Sequence, residues 1–306
     1  MSLPLRMRFG LFGTGPWAQL TQGPALAGHP GVDLVGVWGR RPEAARELAG
    51  RLDTRAYEDA DTLIADCDAV AIALPPDVQA PLAVRAAAAG RHLLLDKPLA
   101  TTVPLAREVA EAAEAAGVAS VVFFTLHFTP ESAAWLVEQQ ETDGWVNGRA
   151  EWFSGIFDEA GSDSPYAASP WRREKGGLWD IGPHALSVLL PPLGDVSGLD
   201  AITAARGPGD MVHMALRHVS GASSTLTVSL SVPPQASSMS AVLRGRPGIV
   251  TLPDRGEARH VEAFGAAIDA LERAARTGEA HPCDVRFALR VTEILATAEG
   301  QLGDAG

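Results

Sequence analysis

From residue 7 to about 122, short β-branched apolar runs alternate with alanine-rich stretches of helical period. MRFGLFG, VDLVGVWG, AVAIAL, HLLLD and ASVVFF are expected to be buried strands, and 16–27, 42–52, 78–89 and 102–116 helices. Strand–helix alternation calls for parallel strands joined by right-handed crossovers, a doubly wound α/β domain over residues 1–122. Beyond residue 123 the period changes. TLTVSLSV puts Leu226, Val228, Leu230 and Val232 on one face and Thr225, Thr227, Ser229 and Ser231 on the other, and VHMALRHV turns Val212, Met214 and Leu216 inward. That alternation is the mark of half-buried antiparallel strands. With MSAVLRG, RAEWFSGIF and amphipathic stretches near 257–277 and 284–300, residues 123–306 are expected to form a second α/β domain with a mostly antiparallel open sheet.

Composition narrows the possible partners. The 306 residues suit two domains, and 46% apolar content suffices for two cores. Twenty-five Lys and Arg stand against 37 Asp and Glu, a formal charge of -12, which repels a phosphate backbone and argues against nucleic acid. The two cysteines, Cys67 and Cys283, form no CxxC or Cys/His cluster, so neither a structural metal nor an oxidising compartment is expected. The basic start MSLPLRMR and the ALA at 25–27 are separated by Gly10, Gly13, Gly15 and Pro16, which break the apolar core a secretory signal needs. No run has membrane-spanning length, and a cytoplasmic protein with no membrane partner is expected.

The first strand leads into GTGPWA, with Gly13, Gly15 and Ala18 in G-x-G-x-x-A spacing. One glycine makes the tight turn, the next lets backbone amides approach a pyrophosphate, and the alanine lets the helix pack close. Pro16 fits as an early helical residue whose N–H would have had no partner. Gly13, Thr14, Gly15, Pro16 and Trp17 are therefore candidate dinucleotide contacts. An acid at the end of the second strand would hold the ribose hydroxyls of NAD, but Gly39, Arg40 and Arg41 stand there. Guanidinium groups suit a 2′-phosphate, so NADP is expected over NAD. The fourth strand ends in HLLLDKPLA and delivers Asp96 and Lys97 beside the same crevice.

Three segments in order, Gly13-Thr14-Gly15-Pro16-Trp17-Ala18, Asp96-Lys97-Pro98 and Gly176-Gly177-Leu178-Trp179-Asp180-Ile181-Gly182-Pro183-His184, resemble the Gfo/Idh/MocA oxidoreductases, and WRREKGG at 171–177 extends the likeness. The resemblance implies a Rossmann domain followed by an open-sheet domain. It also implies hydride transfer between a nicotinamide and a sugar, polyol or related carbonyl compound. Pro75, in the turn before the helix expected at 78–89, joins Asp96 and Lys97 in the implied cofactor set, and a cis Lys97–Pro98 peptide is expected. The chain departs from the family pattern at Asp96, where glutamate is usual, at Gln79, where many members have histidine, and at Ser187, where an acid often follows the histidine.

Pro183 is tolerated only in a helix's first turn, so a helix is expected to start close to Asp180, with Asp180 and His184 four apart on one face. A helix N-terminus disfavours the imidazolium and keeps His184 a base. Lys97, Asp180 and His184 are the expected catalytic set: His184 as acid/base, Asp180 orienting it, and Lys97 stabilising a developing alkoxide. The alternative makes Asp180 an N-cap and His184 a core histidine. Trp179 and His127 are candidate substrate contacts beside Lys97, Asp180 and His184, within an aromatic group that also holds Trp152, Phe157, Tyr166 and Trp171. A catalytically silent ligand sensor and an NAD-dependent glycosidase are competing functions for the same fold. The small, uncharged Thr225/Thr227/Ser229/Ser231 face suits a homodimer or homotetramer.

Overall fold

The computed structural model describes residues 6–158, 164–254 and 259–303. The leading MSLPL and the first two residues of the 257–277 stretch lie outside them. Internal contacts divide the chain into two units, Met1–Thr129 with Ala258–Leu289, and Pro130–Glu257 with Arg290–Gly306.

In the first unit the chain runs β1 (Met7–Phe12), a π turn (Ala18–Gln22) leading into α1 (Gly23–Gly28), β2 (Val32–Trp38), α2 (Pro42–Arg51), β3 (Ala56–Tyr57), α3 (Ala60–Asp66), β4 (Ala69–Ile72), α4 (Pro76–Ala88), β5 (His92–Asp96), α5 (Val103–Ala116) and β6 (Ser120–Phe123). The six strands pair in the order β3-β2-β1-β4-β5-β6, every pair parallel. The order reverses between β1 and β4, the crevice where open α/β sheets bind ligands. Sequence explains the ends of the helices. Asp59 caps α3 by accepting from Thr62 N–H at 2.8 Å, and α5 stops at Gly117, which takes a left-handed φ of 63°.

The second unit opens with α6 (Pro130–Glu141), β7 (Trp145–Phe153), α7 (Pro170–Asp180) and α8 (Gly182–Leu193), followed by β8 (Ile202–Arg206), β9 (Val212–Arg217), β10 (Ser223–Ser229), β11 (Ser238–Gly245) and β12 (Gly248–Thr251). Its sheet runs β12-β11-β7-β10-β9-β8, antiparallel throughout except for the β7/β10 pair. Leu226 and Val228 from β10, Leu230 just after it, and Val212, Met214 and Leu216 from β9 are all buried, as the alternation predicts, whereas Val232 lies past the strand and is half-buried. Helix α8 covers that inner face, packing on β7, β10 and β11. The opposite face departs from expectation at one place: Ser229 is buried, its hydroxyl donating to Asp210 at 2.7 Å.

The chain then returns to the first unit as α9 (His260–Thr277), which packs on β5 and β6, with Phe264 edge-on to Phe123 at 5.0 Å. The single boundary expected near residue 122 therefore gives way to a first unit completed by a distant segment. The last helix, α10 (Val285–Gln301), starts under an Asp284 cap whose Oδ1 accepts from Phe287 N–H at 2.9 Å. Among the described residues no helix is long and apolar enough to cross a membrane.

Candidate functional site

In the first unit each expected functional group follows the carboxyl end of a strand. Gly13 follows β1, Arg40 and Arg41 follow β2, Pro75 follows β4, Asp96 and Lys97 end β5, and His127 follows β6. The turn at Gly13 is tied on both sides, its N–H donating to Trp38 O and Ala73 N–H donating to Phe12 O, both at 2.8 Å. Gly13 sits at φ 136°, and a side chain there would run into the Ala73 carbonyl. At Gly15 the reverse holds, because an added Cβ would meet no atom within 4 Å. A backbone turn with open space at its second glycine and a helix starting directly behind it fits a dinucleotide's diphosphate.

The turn's flanks have defined partners. Gln19 Nε2 donates to Thr14 O at 2.8 Å. The Trp17 ring packs against Phe123 at 6.3 Å and His260 at 5.2 Å, so the indole belongs to an aromatic layer shared with β6 and α9. The π turn closes with Gly23 N–H donating to Ala18 O, and Pro24 behind it has no N–H to continue a regular ladder. At the end of β2 a Cβ on Gly39 would lie 2.6 Å from Thr14 Cγ2, while Arg40 and Arg41 are exposed.

At the end of β5 the Lys97–Pro98 peptide is cis, as expected. Asp96 Oδ1 accepts from Lys97 N–H at 2.9 Å. Gln79, buried on α4, accepts from Asp96 N–H at 2.9 Å and donates to the carbonyls of Asp96, Pro98 and Leu99 at 2.8, 3.2 and 3.3 Å. His127 is half-buried, its ring beside Phe124 and Phe287 at 6.5 and 6.4 Å.

The second unit carries Asp180 and His184, on two helices where the spacing predicted one. Asp180 closes α7, Ile181 forms the junction, and His184 lies in the first turn of α8, its N–H donating to Ile181 O at 3.1 Å. Pro183 cannot donate to the preceding turn, so the ladder breaks there. Within α7, Gly176 departs from helical geometry at φ 62°, and Gly177 N–H donates to Asp210 at 2.8 Å. A Cβ on Gly177 would come 3.0 Å from Ser229 Cα, so the glycine pair lets α7 seat directly on β10.

Asp180 is buried and accepts from Arg172 Nε at 3.1 Å. The Arg172 guanidinium lies over Trp171 at 4.6 Å and Tyr166 at 5.1 Å. His184 is buried with its ring stacked on Trp152, centroids 4.9 Å apart and planes 25° from parallel. Two groups thus stand on adjoining helices, a carboxylate held by a guanidinium and an imidazole held by an indole. Trp179 is a correction to the expected substrate set. It is fully buried, donates Nε1–H to Glu299 at 2.9 Å and carries Lys175 over its face, so it is a core residue. Sequence reasoning missed Arg172 and Asp210. Trp171 directly before Arg172 was a usable signal, whereas Asp210 carried none.

Residues 7–124 match the model of the Gfo/Idh/MocA group, described as an oxidoreductase family with an NAD-binding Rossmann fold. Levoglucosan dehydrogenase of Pseudarthrobacter phenanthrenivorans is 30% identical over 169 residues, 53% of this chain and 43% of that protein. A dTDP-3,4-didehydro-2,6-dideoxy-alpha-D-glucose 3-reductase of Streptomyces antibioticus is 30% identical over 194 residues, 62% of this chain and 57% of that one. These matches span less than two thirds of either relative. Among solved structures, GenD2 from gentamicin A biosynthesis in complex with NAD shares the fold, with TM-score 0.79 at 21% identity over 100% of this chain and 97% of that one.

Proposed function

We propose that this chain, whose residues 7–124 match the model of the Gfo/Idh/MocA oxidoreductase family, transfers a hydride between NADP(H) and the alcohol or carbonyl of a sugar, polyol or related small molecule. The observation that carries the substrate side is His184, buried in the first turn of α8, stacked on Trp152 and following directly on the Asp180–Arg172 ion pair. Gly13, Thr14, Gly15, Pro16, Trp17, Pro75, Asp96 and Lys97 are proposed to hold the cofactor. Held there, the cofactor would supply a nicotinamide as acceptor of the alcohol carbon's hydride, or as its donor in the reverse direction. His184 takes the hydroxyl proton as the C=O bond forms and gives it back on reduction. Lys97 offsets negative charge growing on the oxygen. Asp180, held by Arg172, accepts a hydrogen bond from the ring or from a substrate hydroxyl, and His127 is a further candidate contact.

The choice of NADP over NAD rests on the end of β2. Gly39 stands where an acid would hold the ribose hydroxyls of NAD, and the exposed Arg40 and Arg41 offer guanidinium groups to a 2′-phosphate. Turnover is tested with polyols, aldoses and deoxyketoses offered with each cofactor, following nicotinamide absorbance. Expected is turnover with NADP on at least one of them. Cofactor binding without turnover on any would replace the enzyme with a sensor, and cleavage of a glycosidic bond without net cofactor reduction would replace it with a glycosidase.

The same reading includes a homodimer or homotetramer formed through the outward face of the mixed sheet. Thr225 and Ala215 are exposed there in adjacent rows, and Arg149 and Glu151 pair with each other on β7. Light scattering should find two or four copies; a monomer at high concentration would refute the assembly.

A further inference from the structure

We propose that Gln79 is a positioning residue that sets the place of Lys97 by gripping the peptide groups on both sides of it. A carboxamide carries two N–H donors and one carbonyl acceptor, and here all of them are spent on one short segment. Gln79 Nε2 faces the carbonyl oxygens of Asp96, Pro98 and Leu99 at 2.8, 3.2 and 3.3 Å, and its Oε1 takes Asp96 N–H at 2.9 Å.

Two of these groups need a partner that the sheet does not provide. Strand β5 pairs with β6 only as far as Asp96, opposite Phe123, so the carbonyls of Pro98 and Leu99 lie beyond the ladder. Both residues are buried, and an unpaired buried carbonyl costs a large part of a hydrogen bond. Gln79 is itself only 1% exposed, and its own N–H donates to Pro75 O at 2.8 Å in the first turn of α4. The grip therefore anchors the Lys97 backbone to a proline-started helix. Asp96 adds to it by accepting Lys97 N–H through its side chain.

Other side chains of similar size fail in identifiable ways. Glutamate would set a carboxylate oxygen against three carbonyls, and methionine would withdraw all four of these hydrogen bonds. With its flanking peptides loosened, Lys97 keeps its charge but loses its aim, and small misplacements of a catalytic group cost rate steeply. This inference rests on the role proposed above for Lys97, and its test has an arm that does not.

The chain contains two lysines, Lys97 and Lys175, so reductive methylation with ¹³C-formaldehyde yields two lysine side-chain NMR signals, one reporting on the segment and one serving as reference. In cofactor-free Gln79→Glu and Gln79→Met, the Lys97 signal should shift and broaden, the Lys175 signal should stay, and a cooperative melting transition should persist. Single-turnover hydride transfer at saturating cofactor should fall by roughly 10- to 100-fold, a loss in the chemical step. The proposal is overturned if the Lys97 signal is unmoved in both variants, or moves only where melting cooperativity is lost. Lys97→Met serves as the control on chemistry. Hydride transfer persisting there would remove the role assigned to Lys97 and leave the NMR result on Gln79 standing.

Discussion

Two tryptophans in the second unit illustrate how differently one side chain can be used. Trp179 spends its indole N–H on Glu299, 120 positions away, whereas Trp152 lends its face to His184. Trp179→Phe should cost about 2–3 kcal/mol, from one buried hydrogen bond and the cavity left by the smaller ring, and leave turnover and cofactor affinity alone. Calorimetry beside a steady-state assay would show it, and a fall in turnover at unchanged stability would return Trp179 to the substrate site. Trp152→Ala removes the platform under the imidazole. Its turnover should drop by about 10-fold or more while cofactor binding, followed by fluorescence, stays intact. A residue's type was legible in the sequence, but its partner was not. Asp180 and His184 were picked out by spacing, yet the guanidinium that holds one and the indole that holds the other are brought in by folding.

At the level of elements, every strand of the first unit except the two-residue β3 was legible, because each is a continuous apolar run between turn residues. Helices α3, α6 and α7 were not. Helix α6 has little amphipathic contrast, and α7 contains Gly176 and Gly177, poor helix formers that turn out to be a seat against β10. The glycine turn after β1 permits a matched pair of tests. Gly13→Ala forces a side chain onto φ 136° and against Ala73, and should cost at least about 2 kcal/mol, seen as a lower urea midpoint. Gly15→Ala meets nothing in the protein and should melt within about 0.5 kcal/mol of the parent. Its cofactor affinity should nevertheless fall by roughly 10-fold or more, because the new methyl takes the space where a diphosphate approaches backbone. Equal stability losses in the two variants would deny that Gly15 faces a ligand.

For the whole molecule, pH sets stability through buried histidines. Burial lowers the pKa of His92, His218 and His281 below 6.5, outweighing the pull of Asp68, Asp195 and Asp284 toward protonation. In His218 both ring nitrogens are engaged, Nδ1 with Gly194 O at 2.7 Å and Nε2 with Ser224 Oγ at 2.8 Å. With folded pKa values below the unfolded one, the unfolded chain binds more protons as pH falls through 6.5, so stability is full above that point and declines beneath it. Glu272, raised by burial, acts in the opposite sense, over a window that starts at its ordinary 4.5 and extends upward. Urea midpoints measured from pH 8 to 5 should be level at first and then fall; a flat profile to pH 5 would contradict the assignment. The return of α9 to the first unit has a consequence during synthesis. Phe123 and the neighbouring surface of β6 wait for Phe264, which emerges from the ribosome 141 residues later. At about 5–20 residues per second, that apolar surface stays uncovered for on the order of 10 seconds or more, a span in which a nascent chain depends on chaperones to keep it from other chains.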